Sequence, residues 1–227
     1  MPSSTVRWKP AGNINKFYVM KKILLILSLI LSANLYAQSI SENEKAGILL
    51  MREEEKMARD IYQSLNEKWN QVPFSHISES EIYHMSQMKA LIDKFQLTDP
   101  VTKNADKRGV FENSSLKKLY DELLLSGNTS LEAAFRAGAK VEEVDIRDLK
   151  AEMAKTTNED IKSTYTYLVR ASENHLSAFV RNLNSMNISY TPVVLSKDEF
   201  DAILNSSKGR GMGMGQGKGC ARDCARF

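Results

Sequence analysis

The chain has 227 residues, 42% of them hydrophobic, with a formal charge of +3, a size that buries a real core in one domain. Arg7, Lys9, Lys16, Lys21 and Lys22 fall within the first 37 residues, which hold no acid. Without those five the formal charge is −2, so the basic balance belongs to the leader, and no basic stripe remains that would fit nucleic acid.

From Met20 the leader reads MKKILLILSLILSANLYAQ: two lysines, an apolar run from Ile23 to Leu31, and a small-residue exit ending at Ala37. That order predicts a secretory signal, a mature chain starting near Gln38, and a secreted or periplasmic protein. The alternative is an uncleaved anchor, but the apolar run is short for a bilayer span. The expectation is therefore no stable membrane span after cleavage. Residues 1–37 are read as N-terminal extension and signal, 38–200 as a helical domain, and 201–227 as a Gly- and Met-rich flexible tail. Cys220 and Cys224 are the only cysteines. A disulfide, a metal site with Met212 and Met214, or no site at all stay open for that tail.

Ala, Leu, Glu, Lys and Met dominate the rest, and strand-like alternation is scarce, which favours helix. Hydrophobic spacing predicts a first long helix from Glu42 to Trp69, ending before Pro73, and a second from Ser75 to Gln96, ending before Asp99-Pro100. A polar linker, Thr102 to Asn113, leads to a short amphipathic helix from Ser114 to Leu125, closed by Gly127. A third long helix starts near Ser130, with Thr129 or Ser130 as its cap, and Gly138 is expected to break it. A fourth follows Thr156-Thr157-Asn158 and runs to Met186. Four long helices with one extended connection between the second and third predict an all-α bundle with a crossover that carries a short extra helix.

Each long helix places polar residues on its apolar stripe. In the first, Glu54 sits among Leu50, Met57, Ile61 and Leu65, with Glu55 on the flank beside Tyr62. In the second, Glu81 and His84 interrupt the stripe of Ile77, Met85, Met88, Leu91 and Ile92. The third places Glu142 near Leu149 and Met153, with Asp145 one turn on and Glu143 pointing elsewhere. In the fourth, His175 lies at the centre of the apolar face, Ser172 one turn before it, and Glu173 is expected to face solvent. Each residue alone has a bland account, as hydrogen-bonded core or a helix-end acid. Four together call for compensating positive charge. Mixed carboxylate and imidazole donors suit iron or manganese.

These positions resemble the ferritin-like superfamily, in which two helices each supply a Glu and two supply Glu-x-x-His. Glu54, Glu81-x-x-His84, Glu142 and His175 match that pattern. The segments MREEEKMARDIY, SESEIYHM, VEEVDIRDL and ENHLSAF are similar to the DUF2202 family, over about residues 45–195. One departure stands out: Ser172 replaces the Glu of the second Glu-x-x-His. Asp145 or Glu55 are the candidates to replace the missing carboxylate, and without them a mononuclear site is the alternative.

The resemblance implies a ferritin-like four-helix bundle whose metal ligands are Glu54, Glu81, His84, Glu142 and His175, with Glu55 and Asp145 as further candidates. It implies iron, as two ions, with manganese as the other choice, and reaction with oxygen or peroxide or oxidation of ferrous iron, of ferroxidase or peroxidase type. No catalytic residue is assigned. A homo-oligomer is compatible with this reading. The rivals are a non-enzymatic metal-binding or storage protein on the same fold, and a structural bundle without metal.

Overall fold

A computed structural model of the chain describes residues 40–211, with side chains to residue 206. The signal-like leader and the tail cysteines Cys220 and Cys224 lie outside the described residues. The described part is all helical, in the order α1 (Glu42–Trp69), α2 (Val72–Lys94), α3 (Pro100–Lys103), α4 (Ser114–Gly127), α5 (Leu131–Met153), α6 (Glu159–Ser185) and α7 (Lys197–Gly211). No described helix is long and apolar enough to cross a membrane.

The helix ends have local causes. Ser41 caps α1 in a reciprocal box with Glu44, and Asn70 stops it in the left-handed region at φ 47°. Pro73 stands inside the first turn of α2, not before it. A first-turn N–H has no helical partner, so proline costs nothing there, and α2 starts three residues earlier than the spacing predicts. Side chains of Asn113, Ser130 and Asn158 cap α4, α5 and α6.

α1 lies along α2 and α5 along α6; α1 against α5 and α2 against α6 close a bundle of four. α4 packs on α1 and α5, inside the long connection between α2 and α5, as the sequence predicts. The expected break at Gly138 is absent: α5 runs through it. The glycine is there for packing. A Cβ on it would stand 2.7 Å from Phe179 Cε1, so the ring of Phe179 rests directly on the α5 backbone. Helix α7 lies across the boundary expected at residue 200, and its Phe200 and Ile203 are buried. The expected flexible stretch, 201–227, therefore contains one anchored apolar side chain, Ile203, one turn after the anchored Phe200. Met186, the expected end of the fourth helix, caps α6 and is 38% exposed.

The core is divided. One apolar cluster holds Met57, Ile61, Tyr62, Leu65, Phe74, Phe135 and Phe179; the other holds Ile48, Met51, Met88, Leu149, Tyr165 and Leu168. Along α1 the change from one to the other falls at Glu54 and Glu55. Along α2 it falls at Glu81 and His84, along α5 at Glu142 and Asp145, and along α6 at Ser172 and His175. A buried polar layer thus crosses the bundle between two oily halves.

Candidate metal centre

The layer is built by the helical period. Residues three apart on α2 and α5 project from one face, so Glu81 with His84, and Glu142 with Asp145, enter together. Glu54, Glu55, Glu81, His84, Glu142, Asp145 and Ser172 are all buried, and the His175 side chain is 12% exposed.

Two groups of potential ligand atoms result, each within 4.8 Å: Glu55, Glu81 and His84 form one, and Glu81, Glu142 and His175 the other. Glu81 belongs to both. The Nδ1 of His84 lies 2.7 Å from Glu81 Oε2 and 3.2 Å from Glu55 Oε2. The Nδ1 of His175 lies 2.9 Å from Glu81 Oε1 and 3.5 Å from Glu142 Oε1, yet the ring is turned so that neither contact is a hydrogen bond. The two imidazoles stack at 5.4 Å with 21° between their planes.

Of the expected ligands, Glu81, His84, Glu142 and His175 stand in these groups. On α1 it is Glu55, the flanking candidate, that joins them. Glu54 is equally buried but belongs to neither group, and faces Asp145 and Asp148. Ser172 does not extend a ligand of its own; its hydroxyl donates to Asp145 Oδ2 and holds that carboxylate at the layer's edge. Glu173 is not solvated as expected. Its side chain is 19% exposed and lies 3.4 Å from Lys150 Nζ. The phenol of Tyr62 donates to Glu142 Oε1 at 2.5 Å, and Ser80 Oγ lies 3.3 Å from His84 Nε2. Such outer contacts fix how a ligand presents its donor atom.

The charges in the layer do not balance without help. Burial pushes the Glu54 and Glu55 carboxyls far above the usual range, and the neighbouring Asp145 charge adds to it. Burial, then the charge of Glu142, takes Asp145 up to about 8. Burial raises Glu142 as well. Burial also works against ionised Glu81, but the charges of His84 and His175 outweigh it and hold that carboxyl below its usual range. Both imidazoles resist burial through the carboxylates around them: His84 is raised to about 12 by Glu81 and Glu55, and His175 to about 10 by Glu142 and Glu81. In the metal-free protein, protons on two histidines do the work of a cation.

Three carboxylate oxygens are left over. Glu54 Oε2, Glu55 Oε1 and Asp145 Oδ1 are buried with no hydrogen-bond partner, as is His175 Nδ1. Buried acceptors are normally satisfied, so each such atom asks for an explanation. Three unpartnered carboxylate oxygens beside two Glu/His groups, all hard oxygen or imidazole nitrogen donors, fit divalent iron or manganese.

Several important residues carried no periodic signal. Glu53 accepts the backbone N–H groups of Glu112 and Asn113. Glu143, fully buried, accepts those of Val193, Val194 and Leu195 and the hydroxyl of Tyr190. Lys56 and Asp60 form a fully buried pair at 2.5 Å that also holds Lys107 O and Gly109 N of the crossover. Their partners are loop amides and carbonyls far away in sequence, which hydrophobic spacing does not reveal.

The sequence compares with known proteins over the same helices. The family model described as an uncharacterized protein domain, DUF2202, matches residues 44–207. The uncharacterized protein MJ0754 of Methanocaldococcus jannaschii is 47% identical over 180 residues, covering 79% of this chain and 96% of the relative. The crystal structure of hypothetical protein MJ0754 from Methanococcus jannaschii matches with a TM-score of 0.71 and 45% identity, over 73% of this chain and 94% of that one. The four segments that resembled DUF2202 lie inside these matches, and the chain belongs to the DUF2202 family.

Proposed function

We propose that this protein is a ferritin-like metal-carboxylate bundle that binds two ions of iron or manganese and works on dioxygen or peroxide, or oxidises ferrous iron. The observation that carries the reading is the pair of Glu/His groups joined through Glu81, together with three buried carboxylate oxygens that accept no hydrogen bond. Glu55, Glu81 and His84 would hold one ion, and Glu81, Glu142 and His175 the other, Glu81 belonging to both groups. Ferrous ions held there would supply electrons for the reduction of oxygen or peroxide.

The protein's own groups have defined tasks. Tyr62 orients Glu142 through its hydroxyl, and Ser172 orients Asp145. Ser80 holds the His84 ring at Nε2, leaving Nδ1 turned towards the carboxylates. The two apolar clusters exclude water from both ends of the layer. Asp145, with one oxygen free and the other held by Ser172, is the candidate to stand in for the carboxylate that Ser172 lacks. A secreted or periplasmic location rests on the Lys21-Lys22, apolar and Ala37 order of the leader.

Elemental analysis of protein purified without added metal is the first test, followed by titration with ferrous iron and manganese. Two ions per chain are expected, and His84→Ala and His175→Ala should each lower that number. Peroxide turnover then separates a redox enzyme from a storage protein. A wild type that never binds metal would leave a hydrogen-bonded polar core, and the structural reading would replace this one.

A further inference from the structure

Glu54 is the acid that the ligand groups leave out, and its neighbours form a line. On α5, Asp145, Asp148 and Glu152 follow at three- and four-residue steps, so their carboxylates stack along one face at about 5–6 Å per turn. Glu54 faces this line from α1 and interacts with both Asp148 and Asp145. Asp148 is the most exposed acid of the line, its side chain 22% exposed against 11% for Glu152, while Asp145 is 6% and Glu54 3% exposed. Beyond Asp148 the line reaches a surface cavity of about 220 Å³ between the start of α1 and the end of α5, lined by Gly47, Leu50, Glu152 and Lys155, the last two paired at 2.6 Å. Gly47 makes room for the outermost acid, since a Cβ there would stand 2.5 Å from Glu152 Oε2.

At the inner end, Glu54 Oε2 and Asp145 Oδ1 are buried without partners. Arg147 pairs with Asp148 at the outer edge, and its charge also acts on Glu54. A dication crossing an apolar wall must exchange its water shell for oxygen ligands at each stage, because bare charge is not tolerated there. Carboxylates one turn apart supply those stages.

We propose that the seam between α1 and α5 is the path by which a divalent cation reaches the centre, with Glu54 as a transit ligand and not a resident one. This rests on the metal-binding reading above. Glu152 receives the ion at the cavity, Asp148 passes it to Glu54, and Asp145 delivers it to the layer beside Glu55.

The test is rapid-mixing uptake of cobalt(II) or manganese(II) by the metal-free full chain, with bound metal measured again at equilibrium. Glu54→Gln and Asp148→Asn should each slow uptake by about tenfold or more, the scale on which a lined cleft raises cation on-rates. The final metal content should equal that of wild type. Glu122→Gln, an exposed change of the same charge on α4, should leave the rate alone. Added salt should slow wild type more than the two variants. Unchanged rates in both variants overturn the route. A lower final content in Glu54→Gln makes Glu54 a resident ligand and overturns its transit role. Asp148→Asn, at a partly exposed position, decides the matter should Glu54→Gln fail to fold. A wild type that takes up no metal overturns the underlying reading instead.

Discussion

Two sets of buried acids stand side by side in this bundle, and they differ in what faces them. Glu53, Asp60 and Glu143 are met by backbone N–H groups, Lys56, Arg59 and Tyr190, which fill their oxygens. Glu54, Glu55 and Asp145, also buried, each keep an oxygen that accepts no hydrogen bond. Glu53 and Glu54 are neighbours in sequence, as are Glu142 and Glu143. Burial alone therefore does not mark a metal site; a shortage of protein donors does. The first set fastens loops to α1 and α5, and the second flanks the groups that could hold the proposed ions.

Breaking the first set should cost most. Glu143→Ala strands three backbone N–H groups, an acid of the kind whose loss costs about 3–5 kcal/mol. The melting midpoint of metal-free protein should fall by about 10 °C, given roughly 2–4 °C per kcal/mol at this size. A fall under about 3 °C would dissolve the distinction.

Metal and pH sharpen the second set. Asp145 titrates near 8 in the fold and near 3.8 unfolded, so the folded state keeps a proton that the unfolded chain gives up, and its contribution to stability shrinks as pH climbs through that interval. The histidines, raised to about 12 and about 10, stabilise fully below about 6.5 and lose that effect as pH rises towards those values. Metal-free protein should thus weaken from about pH 6 to about pH 8. An ion replaces those protons, so added manganese should protect more at the higher pH. Calorimetry at both values measures the widening gap, about 3 kcal/mol at a hundredfold excess over the dissociation constant. A gap that narrows with pH contradicts the assignment.

The smallest effect has the opposite sign. Glu54→Gln should raise the midpoint of metal-free protein by about 2–4 °C, since a neutral amide brings a donor to an acid that lacks one, worth about 1 kcal/mol. Glu53→Gln, one residue away, should lower it by a similar amount. Identical shifts in the two variants would remove the contrast.

The sequence made the bundle legible because hydrophobic spacing, caps and breakers act locally. Glu81 with His84, Glu142 and His175 were visible for the same reason, as polar residues inside apolar stripes. The choice between Glu54 and Glu55 was not local. The two point about 100° apart on α1, and which one meets His84 depends on how α1 is rotated by its neighbours. Pro73 and Gly138 were read as interruptions because their usual effect is disruptive; a first-turn position and a ring packed on bare backbone made them harmless. Helix α7 did leave a signal: Ser196, three residues before Glu199, caps it through the Glu199 N–H. The glycines that follow masked it.

Glu143 also sets an order of events in biosynthesis. Its three amide donors lie 50–52 residues downstream, at Val193 to Leu195. While a growing chain is shorter than that, α5 carries a carboxylate whose burial has no compensation, next to Glu142. The ligand-bearing face of α5 can settle only after nearly the whole helical domain has been made. Chains cut short by nonsense codons or proteolysis before residue 193 then keep α5 loosely seated and exposed to degradation.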